Sequence, residues 1–119
     1  MEFVSLSQKI DEASKEKIRN THLFEAANFR SWMLYFQPGD GTPMHYHQSP
    51  ETFLVIDGKA SIKALDGSER VVEKNEVVFL GAKDYYQITN VGTSPLILFG
   101  NRSEPFRLPI TRAKKELRL

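Results

Sequence analysis

The chain contains no cysteine. That excludes a disulfide framework and any thiolate-ligated metal. It also lacks an apolar run approaching the ~18 residues a membrane-spanning helix needs. Neither sign of charge dominates: Lys and Arg total 16, Asp and Glu 15, for a net charge of +1. The global balance therefore implies no nucleic-acid partner and no anionic membrane surface. The opening residues, MEFVSLSQKIDEASKEK, show no basic stretch followed by an apolar one. No secretory leader is expected there, and the cytoplasm is the expected location. With cysteine missing, His, Asp, Glu and Tyr are the strong metal-ligating types that remain.

What is present reads as strands. At 119 residues the chain fits one domain, 1–119, with one core. Residues 21–26 and 29–37 are rich in aromatic and β-favouring types. Pro38-Gly39-Asp40-Gly41-Thr42-Pro43 breaks the pattern as a loop. Further strands are expected at 44–47, 51–57, 59–65, 68–73, 77–80, 85–90 and 96–101, with hairpin turns at Asp57-Gly58 and Asp66-Gly67. Short strands with regular turn signals indicate an all-β barrel or sandwich with its core over about 21–102. Before it, Glu2–Leu6 reads as an edge strand. Residues 7–20 read as a short helix or a surface loop, with Ser5 or Ser7 able to cap a turn. After it comes a basic tail, 103–119, read either as a partly ordered end or a short strand followed by a helical turn, or as a patch for an acidic partner or second subunit.

Alternate residues of a strand share a face, so His45 and His47 point one way and Tyr46 the other. Glu51 begins the next strand after the Ser49-Pro50 break, which brings a carboxylate within reach of both imidazoles. Two histidines and one carboxylate on one face are the ligand set of non-haem Fe(II), and Mn, Ni, Co or Zn would accept it too. An H-x-H pair by itself also suits an exposed strand or a hydrogen-bonded core histidine. Phe53 and Val55 share parity with Glu51 and should line the same interior. Trp32, Tyr35 and Phe36 read as core or interface residues, Met33 and Met44 as core, and His22 as no ligand. Lys83, Asp84 and Arg102 read as solvated surface near a barrel mouth.

Gly39, His45, His47, Glu51 and Gly58 match G-x5-H-x-H-x3-E-x6-G, the first motif of the cupin superfamily, at every fixed position. The chain resembles a small single-domain cupin over most of residues 24–101. The family's second motif, G-x5-P-x-G-x2-H-x3-N, aligns on Asn90 and departs elsewhere: Asn75, Gly81, Lys83 and Tyr86 stand at its other fixed positions. The resemblance implies a double-stranded β-helix (jelly-roll) barrel with a divalent metal held by His45, His47 and Glu51. Tyr86 replaces the family's last histidine. It then acts as a phenolate ligand, or sits beside a three-ligand metal, or marks a pocket that has lost its metal. Tyr85 has the opposite parity and is expected to pack outside.

Two functions follow from the resemblance. One is a metal-dependent enzyme of dioxygenase, isomerase or lyase type acting on a small oxygenated metabolite, with Glu51 as ligand and Tyr86 as acid or base. The other is a non-catalytic module binding a small sugar or acid at a degenerate metal site. A homodimer through the sheets is compatible with both.

Overall fold

The structure, a computed structural model, describes residues 1–103 and the backbone of residues 111–112. Expectations for 104–110 and 113–119, most of the basic tail, lie outside the described residues.

The first element is a helix, α1 (Leu6–Glu16), in the stretch 7–20 that reads as a short helix or loop, while Glu2–Ser5 form no strand where an edge strand was expected. Leu6, Ile10 and Ala13 fall at helical spacing, so one face is apolar. Ser5 caps the N-terminus by accepting from the Gln8 amide. Lys17 ends the helix in the left-handed region at φ 58.

Strands follow at β1 (Asn20–Ala26), β2 (Phe29–Phe36), β3 (His45–Tyr46), β4 (Glu51–Asp57), β5 (Lys59–Ala64), β6 (Glu69–Glu73), β7 (Val77–Leu80), β8 (Tyr86–Asn90), β9 (Leu96–Arg102) and β10 (Thr111–Arg112). They form two antiparallel sheets, ordered β1-β2-β9-β4-β7 and β10-β3-β8-β5-β6. The expected boundaries hold to within two residues for β1, β2 and β4 to β9. Only the core of the expected 44–47 piece pairs as β3. No helix among the described residues is long and apolar enough to cross a membrane.

Between the sheets lies a core of Trp32, Leu34, Phe36, Phe53, Val55, Ile88, Leu96 and Leu98, with Tyr86 among them. A second cluster sits outside the first sheet, where Ala13 of α1 covers Met33, Tyr35 and Ile97. This explains why all of Arg30 to Phe36 is buried: β2 is covered on both faces. Trp32 and Phe36 therefore face the barrel interior, and Tyr35 faces the helix. His22 is exposed, as expected of a residue outside the site.

The loop before β3 is laced to β8. Gly39 donates to the Asn90 carbonyl, Asn90 to the Asp40 carbonyl, and Thr42 to the Ile88 carbonyl. Gly41 has to be glycine, because a Cβ there would lie 2.0 Å from the Ile88 carbonyl oxygen. Asn90, the one residue that keeps the second motif, donates from its side chain to the carbonyls of Phe36 and Ser94, both at 2.9 Å. It ties β8 to the end of β2 and so fixes one wall of the barrel against the other.

Candidate functional site

Two cross-strand rows build the site. In the second sheet His45 on β3 lies directly opposite Tyr86 on β8. In the first sheet Arg30, Arg102 and Glu51 form one row across β2, β9 and β4. All five side chains are buried. The next row inward is Trp32, Gly100 and Phe53. Gly100 leaves room for the flanking rings, which meet edge-on at 5.5 Å. A Cβ on Gly100 would approach both to 2.8 Å.

His45 and His47 share a face as their spacing requires, with ring centroids 4.9 Å apart and planes nearly perpendicular. His45 Nδ1 lies 2.7 Å from the Pro43 carbonyl oxygen. That oxygen can only accept, so Nδ1 carries the proton and Nε2 is the nitrogen available to the pocket. The Lys83 amide donates to the His47 carbonyl at 2.8 Å, which anchors β3 to the turn before β8. The His47 pKa is pushed down from 6.5 to about 3. Burial is the main cause, followed by electrostatic interactions with Arg102, His45 and Arg30. His47 is therefore neutral at pH 7, and its buried Nδ1 has no hydrogen-bond partner among the described residues.

Glu51 is engaged at both carboxylate oxygens. Arg102 donates to its Oε2 at 3.0 Å. The Tyr86 hydroxyl donates to its Oε1. His47 Nε2 stands 3.8 Å from Oε1, beyond hydrogen-bond reach. Arg30 and Arg102 also lie over the Trp32 rings, at 4.5 and 4.8 Å from guanidinium to centroid. These are cation–π distances.

A cavity of about 180 Å³ opens between His45, His47, Tyr86, the two arginines and the apolar faces of Trp32 and Phe53. Glu51 is not among the residues lining it. Its carboxylate is engaged by Tyr86 and Arg102, both of which line the cavity.

The sequence thus identified four of the residues that meet here: His45, His47, Glu51 and Tyr86. It missed two. Arg102 reads as solvated surface by sequence, but it is buried and paired with Glu51. Arg30 was not singled out. A parity signal existed for both. Arg102 continues the inward set Leu96, Leu98 and Gly100, and Arg30 precedes the inward set Trp32, Leu34 and Phe36. Tyr85 packs against Tyr46 on the outer face, ring centroids 4.9 Å apart, as its parity predicts.

Cupins often hold a metal, and the donor set can be tested for that fit. The two imidazoles suit it. The carboxylate does not, since each oxygen already accepts a hydrogen bond and one faces a full guanidinium charge. The Tyr86 hydroxyl is hydrogen-bonded to Glu51 and so is directed at the carboxylate. Among the described residues no group of three or more His, Cys, Asp or Glu is placed to hold a metal ion. As arranged, the residues do not fit a resident metal.

A family model described as a cupin domain matches residues 32–99. No curated protein sequence matches the chain. Among solved structures, a protein from Thermus thermophilus superposes with a TM-score of 0.74 at 18% identity, covering 88% of this chain and 100% of that one. A cupin 2 domain-containing protein from Halorhodospira halophila gives 0.73 at 20% identity, covering 83% of this chain and 71% of that one. The DMSP lyase DddQ from Ruegeria pomeroyi gives 0.65 at 14% identity, covering 74% of this chain and 44% of that one. At these identities the likeness shows the shared double-stranded β-helix and leaves the chemistry open.

Proposed function

Since the chain belongs to the cupin family, whose barrels commonly bind small molecules, we propose that its cavity binds a small organic acid without a metal between protein and ligand. The observation that carries this reading is the pair of guanidiniums, Arg30 and Arg102, held against Trp32 at the cavity wall. Both arginines act to lower the His47 pKa, after burial, which is the larger cause. An anionic group is the natural complement. Trp32 and Phe53 offer an apolar face for the rest of the ligand, and His45 offers a ring nitrogen for an oxygen-bearing group. The volume, about 180 Å³, is below that of drug-sized sites. The ligand is therefore a compact acid rather than a sugar chain.

Calorimetric titration of the protein with glycolate, pyruvate and benzoate tests this. At least one should bind, and the corresponding neutral amide should not. Charge-assisted contacts carry about 1.5–3 kcal/mol, so Arg30→Gln should weaken that binding by roughly 10- to 100-fold. Equal binding of acid and amide, or no loss in Arg30→Gln, overturns the reading.

A second reading has one observation in its favour. His47 is held neutral beside His45, and both offer ring nitrogens to one cavity. On that reading the chain is a metal-dependent enzyme of dioxygenase, isomerase or lyase type, using Fe, Mn, Ni, Co or Zn. Glu51 would have to exchange Arg102 for the metal, and Tyr86 would serve as acid or base. Elemental analysis of protein purified without added metal separates the two. Stoichiometric metal that is lost in His45→Ala supports the enzyme.

A further inference from the structure

We propose that the Arg102 guanidinium takes the place of a metal's charge on Glu51, and that His45, His47 and Glu51 form a latent metal site that replacing Arg102 alone would open. The inference goes beyond the ligand proposed above and holds whichever acid binds.

Glu51 is only 3% exposed. A buried carboxylate must take up a proton, coordinate a metal or face a cation, because leaving its charge uncompensated costs several kcal/mol. The motif that supplies His45, His47 and Glu51 is arranged for the metal solution. This chain shows the third one. Arg102 sits directly opposite Glu51 across the β4–β9 ladder, so its reach is set by register rather than by chance of rotamer. Its guanidinium meets Oε2 at 3.0 Å and stands 4.8 Å from the Trp32 ring centroid. Tyr86 holds the other oxygen from the strand where a fourth ligand would stand.

The consequence is positional. With both oxygens directed at Arg102 and Tyr86, Glu51 lies outside the cavity lining while both histidines remain on it. A dication there would stand close to a fixed positive charge, which disfavours it strongly in a desolvated site. Removing that charge reverses the balance. Glu51 would lose its counter-ion and gain freedom to turn toward two imidazoles already placed together.

The test uses the full chain and Co²⁺ as probe, because its visible bands report ligand number and geometry. Wild-type protein stripped with EDTA should show no change in melting temperature and no new visible band when Co²⁺ is added. Arg102→Met, which keeps apolar bulk over Trp32, should bind one Co²⁺ per chain at least about 100-fold more tightly than wild type, the scale on which groups around a metal site act. It should also gain a band that the added change His47→Ala removes. Arg102→Lys retains the cation and should behave as wild type. Should Arg102→Met fail to fold alone, refolding on addition of Co²⁺ supports the inference. Failure of both Arg102→Met and Arg102→Ala to bind Co²⁺ or to refold with it overturns it, as does wild-type protein that binds Co²⁺ as tightly as Arg102→Met. Calorimetry of the wild type with organic acids is unaffected by any of these outcomes, so the two proposals fail separately.

Discussion

Glu51 carries a buried charge that Arg102 faces at 3.0 Å. Replacing it by Gln leaves Arg102 buried without its counter-ion. The expected loss is about 3–5 kcal/mol, the range for breaking a buried ion pair from one side. Tyr86→Phe removes one hydrogen bond to the same carboxylate and should cost less, about 2 kcal/mol. Urea denaturation of the two variants checks the order. His47 makes stability depend on pH. Unfolded, it takes up a proton below its ordinary 6.5, and folded it does not until about 3. The unfolded state therefore binds more protons throughout that window, and stability falls as pH falls through it. The slope from this one group approaches about 1.4 kcal/mol per pH unit. Chemical denaturation at stepped pH should show that slope in wild type and a shallower one in His47→Gln. Local spacing made His45, His47 and Glu51 legible, because they lie within seven positions of one another. Arg102 was not legible in that way. Its partner is 51 residues away, and only the register of β4 on β9 brings them together.

At the scale of elements, turn chemistry was the readable part. Asp-Gly pairs and the Pro-Gly loop mark chain reversals that the structure places where expected, and Gly58 and Gly67 adopt positive φ there. The first element was harder to read. Glu2–Leu6 looks strand-like by composition, but the apolar spacing that decides its neighbour runs on through Ile10 and Ala13, and the helix forms because that face has Met33, Tyr35 and Ile97 to cover. No local signal shows that β2 needs a cover on its outer side. Gly100 is a different kind of element-level feature. It sits in mid-strand with no turn to make, and its purpose is the meeting of Trp32 and Phe53 across it. Gly100→Ala should push these rings apart, cost about 1–3 kcal/mol as an overpacked site, and weaken ligand binding by disturbing the surface on which both guanidiniums rest. A variant with lowered stability and unchanged ligand affinity would contradict the second half of that expectation.

At the scale of the whole molecule, β7 is one of the two end strands of the first sheet among the described residues. Val77 and Phe79 on it are 63% and 68% exposed. Exposed apolar edge strands invite pairing with another chain. A second copy is the expected cover, in line with the homodimer anticipated from the sequence. Sedimentation should show a dimer at micromolar concentration and a monomer for Phe79→Asp. The barrel class and the motif strands were legible because each hairpin carries its own turn and alternation. The assembly of two arginines around one indole was not, because it joins β2 to β9, strands far apart in the chain that only the sheet register brings together. That assembly has an optical consequence. The chain has a single tryptophan, so all of its indole emission comes from one wall of the cavity. The ring is 4% exposed and flanked by two cations that the proposed acid ligand would engage. The protein thus carries a built-in fluorophore: an acid drawing Arg30 or Arg102 off the ring should shift its intensity in proportion to occupancy, and Arg30→Gln should reduce the signal. Ligands can be screened by light alone, with no label attached.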